Sequence, residues 1–212
     1  MSGARRGLSL VELLVVCFLV GLLGLAFVSA LLPTMQAMAR ASAQTELQQQ
    51  AVLCLERIER ELRSSTSTGV GILSQALVGP GQNPGLFLTP LKDVDGQGQP
   101  NWDPRIVAIW WDRSDGRVRS KTWPPKDPPS LAHEPGLNRP AGLSRLEFAD
   151  LINGRNGSER FLAAGVTDFD AVHGGSGTAL VPPLTVQIEL SRQEGHHREK
   201  FKLKRVVSLR TL

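Results

Sequence analysis

Cysteine is scarce in this chain: Cys17 and Cys54 are the two among 212 residues. If one continuous helix joins them, ~1.5 Å of rise per residue sets them about 55 Å apart. A disulfide tolerates roughly 7 Å between Cα atoms. The sequence therefore predicts no intrachain bridge and assigns each cysteine to a small apolar position on its helix. A strong charge imbalance is also missing. The formal net charge is +4, and Arg5 and Arg6 in the first seven residues supply two of it. No stripe of Lys and Arg interleaved with aromatics follows, which removes the electrostatic case for nucleic acid. The basic stretch Lys200, Lys202, Lys204 and Arg205, broken by Phe201 and Leu203, reads as the outer face of a strand. Signatures of catalysis are absent too: no HExxH, CxxC, Gly-rich phosphate loop, or Ser/His/Asp or Cys/His arrangement. Of the four histidines, His133, His173, His196 and His197, the last two share a turn. They read as a solvated polar turn, because a metal site needs three or four placed ligands. These absences lead to the expectation that the chain is not an enzyme.

What the sequence does hold is one long apolar run. Hydrophobic residues make up 41% and charged residues 21%, so the whole is neither disordered nor generally membrane-embedded. The apolar residues are nevertheless concentrated. Residues 13–32 carry no charge, and as a helix they span ~30 Å, the thickness of a bilayer's hydrocarbon core. Arg5 and Arg6 precede the run, and the positive-inside rule puts that end in the cytoplasm and everything past Leu32 across the membrane. A secretory signal peptide competes with this reading, since Val28-Ser29-Ala30 offers a small-residue cleavage site. Against it stand the length of the run, helical character that continues beyond it, and Glu12 at its edge. A carboxylate carried to mid-membrane costs ~2.5 kcal/mol or more, and an intramembrane acid is a functional hypothesis by default.

Beyond the run, Pro33 is expected to kink the helix rather than end it, since good helix formers resume at once. From Gln36 to Arg63, Leu47, Ala51, Leu55 (or Cys54), Ile58 and Leu62 recur at spacings of three and four. This stripe predicts a helix packed on its own globular body. Gln49, Gln50, Glu56, Arg57, Glu59, Arg60 and Arg63 fall on the opposite face, with Glu56–Arg60 and Glu59–Arg63 as i,i+4 pairs in the favourable order. The polar run Ser64–Gly69 ends the helix. The remainder reads as β-rich, with strands at 70–78, 85–91, 106–112, 117–123, 143–149, 160–164, 166–172, 183–190 and 199–210. Ser114-Asp115-Gly116 is expected to turn a hairpin. The six-proline stretch 124–142 reads as a surface loop or linker. The predicted class is α+β: a long N-terminal helix, transmembrane in its first half and amphipathic in its second, on an antiparallel β-rich domain.

The stretch Arg6-Gly7-Leu8-Ser9-Leu10-Val11-Glu12-Leu13-Leu14 resembles the class III signal of type IV pilins and type II secretion pseudopilins. That resemblance implies cleavage by a prepilin peptidase after Gly7 and methylation of the new amine on Leu8. The family usually begins with Phe, and Leu8 departs from it. The implied divisions are a leader at 1–7, a transmembrane helix at 8–32, an amphipathic helix at 33–65 and an exported globular domain at 66–212. Glu12, one turn from Leu8 on the same face, would neutralise the amine of a neighbouring subunit, two costly charges becoming tolerable as a pair. Three further stretches, Phe161–Phe169, Pro182–Leu190 and Arg205–Arg210, are similar to the tail of J-type minor pseudopilins and the related W-type minor pilins. The resemblance implies a pilin-like structural subunit at or near a filament tip, acting in filament initiation and the export of folded proteins. Its partners would be the peptidase, other minor and major pseudopilins or pilins, and inner-membrane lipid. Its place would be the bacterial inner membrane, single-pass, with the N-terminus cytoplasmic and the C-terminal domain periplasmic. Two alternatives stay open: a minor pilin of a type IV pilus, and a secreted enzyme or binding protein with an ordinary signal peptide.

No cofactor is expected, and calcium is the one ion the sequence leaves open. Asp93-Val94-Asp95-Gly96-Gln97-Gly98 is similar to the opening of a calcium loop, with Asn101 and Asp103 as further oxygens. Gln97 replaces Asp or Asn, and Pro104 stands where a bidentate Glu belongs, so an acidic turn is the leading reading. Trp110 and Trp111 fall on opposite faces of one strand, both as core or one as a contact for a neighbouring subunit.

Overall fold

The computed structural model describes residues 10–73, 83–103, 105–123, 152–153, 157–175, 180–194 and 197–210. The expected strand at 143–149, the proline-rich stretch 124–142 and the leader at 1–7 lie outside the described residues. One helix, α1 (Leu10–Arg63), opens the described chain and runs through Pro33. Proline removes one i→i−4 hydrogen bond, and the hydroxyls beside it bond backward along the helix. Ser29 Oγ donates to the Ala26 carbonyl and Thr34 Oγ1 to the Ala30 carbonyl, each at 2.8 Å.

The chain divides into two compact units, residues 1–43 and 44–212. In the described part of the first, from Leu10, the large apolar side chains stand exposed: Leu13, Leu14, Phe18, Leu23, Leu25 and Phe27 among them. Helix α1 is long and apolar enough to cross a membrane, which makes the chain a candidate for single-pass anchoring.

The second unit begins in the C-terminal part of α1. The helix stops at Arg63, where Ser64 N–H bonds to the Glu61 carbonyl at 3.1 Å and Ser65 N–H to the Leu62 carbonyl at 3.0 Å. Strands β1 (Val70–Leu73), β2 (Gly85–Leu88), β5 (Ile106–Asp112), β6 (Arg117–Trp123) and β7 (Ser158–Ala163) form an antiparallel sheet in the order β1-β2-β5-β6-β7. Strands β8 (Val166–His173), β9 (Leu184–Glu194) and β10 (His197–Val207) form a second sheet in the order β10-β9-β8. A small hairpin, β3 (Leu91–Val94) with β4 (Pro100–Trp102), is the third.

The expected segment 85–91 is therefore not one strand. Pro90 cannot donate to a ladder, so β2 ends before it and β3 begins after it. The two central hairpin strands, 106–112 and 117–123, match the sequence reading at both ends, and their register runs from Ile106↔Trp123 to Asp112↔Arg117. Gly116, at the turn's end, has φ +66°, and a Cβ there would lie 3.3 Å from the Val166 carbonyl oxygen. Its own carbonyl accepts from Val166 N–H at 2.8 Å, tying the β5–β6 turn to the start of the second sheet.

The core explains why the helical stripe has its spacing. Leu47, Ala51, Cys54, Leu55, Ile58 and Leu62 are all buried in one cluster. That cluster takes Val107, Ile109 and Trp111 from β5, Phe169 from β8, and Leu184, Val186, Ile188 and Leu190 from β9. The alternate residues of β5, Ile106, Ala108 and Trp110, enter a second cluster with Leu73, Phe87 and Trp123 on the other face of the five-stranded sheet. Both tryptophans are thus buried, one in each cluster.

Candidate functional site

The sequence-predicted residues divide by unit. Gly7 and Leu8 lie outside the described residues. Glu12 stands exposed in the first turn of α1. It is flanked by Leu10, Val11, Leu13 and Leu14, each well over half exposed. A carboxylate at a helix N-terminus is electrostatically favoured by the helix dipole, whereas its apolar neighbours suit lipid or packed helices.

The acidic turn sits on the β3–β4 hairpin. Asp93 faces Asn101 across the ladder. Asp95 Oδ1 accepts from the Gln97 and Gln99 backbone N–H groups at 2.9 and 2.7 Å, so its carboxylate holds the turn. Asp103 Oδ1 accepts from Arg105 N–H at 3.0 Å, and Oδ2 lies 3.6 Å from Arg105 Nε. Calcium takes six to eight oxygens, and two of these four side chains already serve local hydrogen bonds. Among the described residues, no group of three or more His, Cys, Asp or Glu could hold a metal ion. His133 and His196 lie outside the described residues. His173 closes β8, its Nδ1 accepting from Gly175 N–H at 3.2 Å.

Several charged groups took positions the sequence pattern did not reveal. Glu59, assigned above to the solvent face of α1, is buried. Arg63 Nε reaches its Oε1 at 2.9 Å from the next turn, and Arg205 Nε reaches Oε2 at 2.6 Å from β10. Arg57 pairs with Glu61 at 3.5 Å, and no ion pair joins Glu56 to Arg60 among the described residues. On β10 the side chains of Lys200, Lys202 and Lys204 are exposed, as the alternation predicted. Lys200 Nζ bonds to Glu189 Oε1 at 3.1 Å, and that bond chiefly holds the Glu189 carboxyl below its ordinary range. Lys121 is buried in β6. Its Nζ donates to the Ile152 carbonyl at 3.2 Å and lies 5.2 Å from the centre of the Trp123 ring, and desolvation lowers its pKa. Arg119 is gripped by Glu159 at 2.7 Å and by Asp115, bonds that raise its pKa further.

Both cysteines are free. Burial pushes the Cys54 thiol up to about 12, which suits a core residue and not a nucleophile. Among the described residues, the start of α1 sets an acid at the head of an exposed apolar helix. Comparison with protein-family models, with curated proteins and with solved structures returned no match for this chain.

Proposed function

We propose that the chain is a structural subunit of a pilin-like filament, a minor pseudopilin of type II secretion that acts in filament initiation and in the export of folded proteins. The observation that carries this reading is the combination of Gly7, Leu8 and Glu12 with the uncharged run at 13–32. Cleavage after Gly7 leaves a cationic amine on Leu8. Glu12 lies four residues on, one helical turn along the same face. Each charge is costly next to lipid, and pairing between neighbouring copies or relatives relieves both. An assembly whose charges are satisfied only between subunits favours staggered packing of helices.

The rest of the molecule supports the reading through its division of labour. One 54-residue helix has exposed apolar side chains in its first half and buried ones in its second. The buried half carries an antiparallel body, while the exposed half is free to pack in membrane or among other such helices. In this role the chain binds no nucleotide and performs no chemistry.

Mass spectrometry of the mature N-terminus, on protein purified from the membranes of its own host, tests the proposal. The expected product begins at Leu8 and carries one methyl group on its amine. A product beginning at Leu31 or later would sink the filament reading, and so would an uncleaved chain beginning at Met1.

A further inference from the structure

The far end of β5 and the residue after it carry two buried donors without acceptors among the described residues. Trp111 is 8% exposed, and its indole Nε1 is buried with no hydrogen-bond partner among the described residues. The same is true of Arg113 Nε. The two residues are neighbours on one side of the chain, and the Arg113 guanidinium carbon lies 5.2 Å from the centre of the Trp111 ring. A buried N–H without an acceptor carries an uncompensated desolvation cost. Two of them stacked together call for an explanation beyond packing.

Arg113 also stands apart from the other arginines of this hairpin. Arg117 pairs with Asp115 at 3.7 Å, and Arg119 pairs with Asp112 at 3.5 Å and Glu159 at 2.7 Å. No carboxylate pairs with Arg113 among the described residues. The backbone beneath the pair is fixed, because Trp111 N–H bonds to the Pro84 carbonyl at 3.0 Å and Arg113 N–H to Asn83 Oδ1 at 3.2 Å. The guanidinium sits over the indole on a half-buried side chain.

We propose that Trp111 and Arg113 form a binding site for a carboxylate. Both unpartnered groups are donors, and an ionised carboxylate is acceptor-only, with room for two N–H bonds and a guanidinium beside it. A water taking both donors would still have two protons of its own to place. The carboxylate belongs either to a small free acid or to an acidic side chain of a peptide, and the two sources are separable by experiment. The inference stands independently of the filament reading.

The test uses the full chain, labelled with nitrogen-15 at its indoles, in nonionic maltoside micelles. Four tryptophans give four indole signals, and Trp111→Phe identifies the one that matters. Sodium acetate is titrated against sodium chloride at constant ionic strength, and in a second arm the tripeptide acetyl-Gly-Asp-Gly-amide replaces acetate. The Trp111 signal is expected to move and saturate with carboxylate, and Arg113→Gln is expected to weaken that response by about tenfold or more. Tighter binding of the tripeptide assigns the site to protein-borne acids, and equal or tighter binding of acetate assigns it to small ones. An indole signal that answers neither probe overturns the proposal, as does an equal response in Arg113→Gln. Should that variant lose the dispersed indole signals of a folded chain, Arg113→Lys replaces it. Lysine keeps the charge but lacks Nε, and the same weakening is expected.

Discussion

At the scale of single residues, the least expected feature is a lysine inside a sheet. Lys121 shares a strand face with Trp123, and the Gly157 backbone lies close enough that a Cβ there would sit 3.2 Å from Lys121 Cε. Loss of solvent disfavours the charged form, which is the direction the pKa takes. The sign for stability follows. With the folded-state pKa below the unfolded one, the unfolded chain binds more protons in the window between them, so stability rises with pH through that window. Urea midpoints measured as the pH rises toward the ordinary lysine range of about 10.4 should therefore climb in the native chain, and Lys121→Met should flatten the climb. An unchanged slope in the variant would show that another group titrates. Sequence reasoning could place β6 but not bury Lys121, because burial of a lysine depends on what covers the far side of the sheet. The same limit applied to Trp110 and Trp111. Alternation put them on opposite faces, and only the second cluster shows that both faces are covered.

At the scale of elements, helix α1 is attached to the second sheet by more than its apolar stripe. The stripe was legible because a 3.6-residue period is written along one element, and each of its residues enters the core. Glu59 was misread for a related reason. It lies four residues from Leu55, on the flank of the stripe, and its second partner, Arg205, lies far away in sequence. Along β10, Arg205 has the parity of Phe201 and Leu203, not that of the exposed Lys200, Lys202 and Lys204, and so turns toward the helix. Glu59 thus joins an arginine on its own helix to one on a strand. Glu59→Gln should cost about 1–3 kcal/mol, the worth of a charged hydrogen bond left partly unmade, because both arginines retain access to water. A double-mutant cycle with Arg205→Gln, read by urea unfolding, should show a coupling of at least 0.5 kcal/mol, roughly the lower bound for residues in one network. Additive effects would mean that the contact contributes nothing beyond its two side chains. The split of 85–91 into β2 and β3 was the other element-level error. A run of apolar residues conceals a proline's effect when it is read by hydrophobicity alone.

At the scale of the whole molecule, the two units place opposite demands on their surroundings. The second unit buries its apolar residues internally, whereas from Leu10 to Met38 the helix exposes them. Under the filament proposal bilayer or neighbouring helices cover that surface, and Glu12 is the residue that distinguishes the two. Removing a carboxylate from the edge of an apolar span relieves a cost of ~2.5–3.5 kcal/mol at full depth, so Glu12→Ala should insert in the membrane at least as well as the native chain. Assembly should respond in the other direction. If the amine on Leu8 of an adjacent subunit relies on this carboxylate, its loss leaves a cation unpaired among apolar helices, and breaking such a pair costs about 3–5 kcal/mol. Membrane fractionation of Glu12→Ala in the native host should show ordinary amounts of protein, while co-purification with filament subunits should fall by about tenfold or more, as a loss of even 1.4 kcal/mol requires. Ordinary co-purification together with full secretion would mean that Glu12 has no part in assembly. A variant missing from the membrane altogether would place the role of Glu12 in insertion, which the cost of burying a charge argues against.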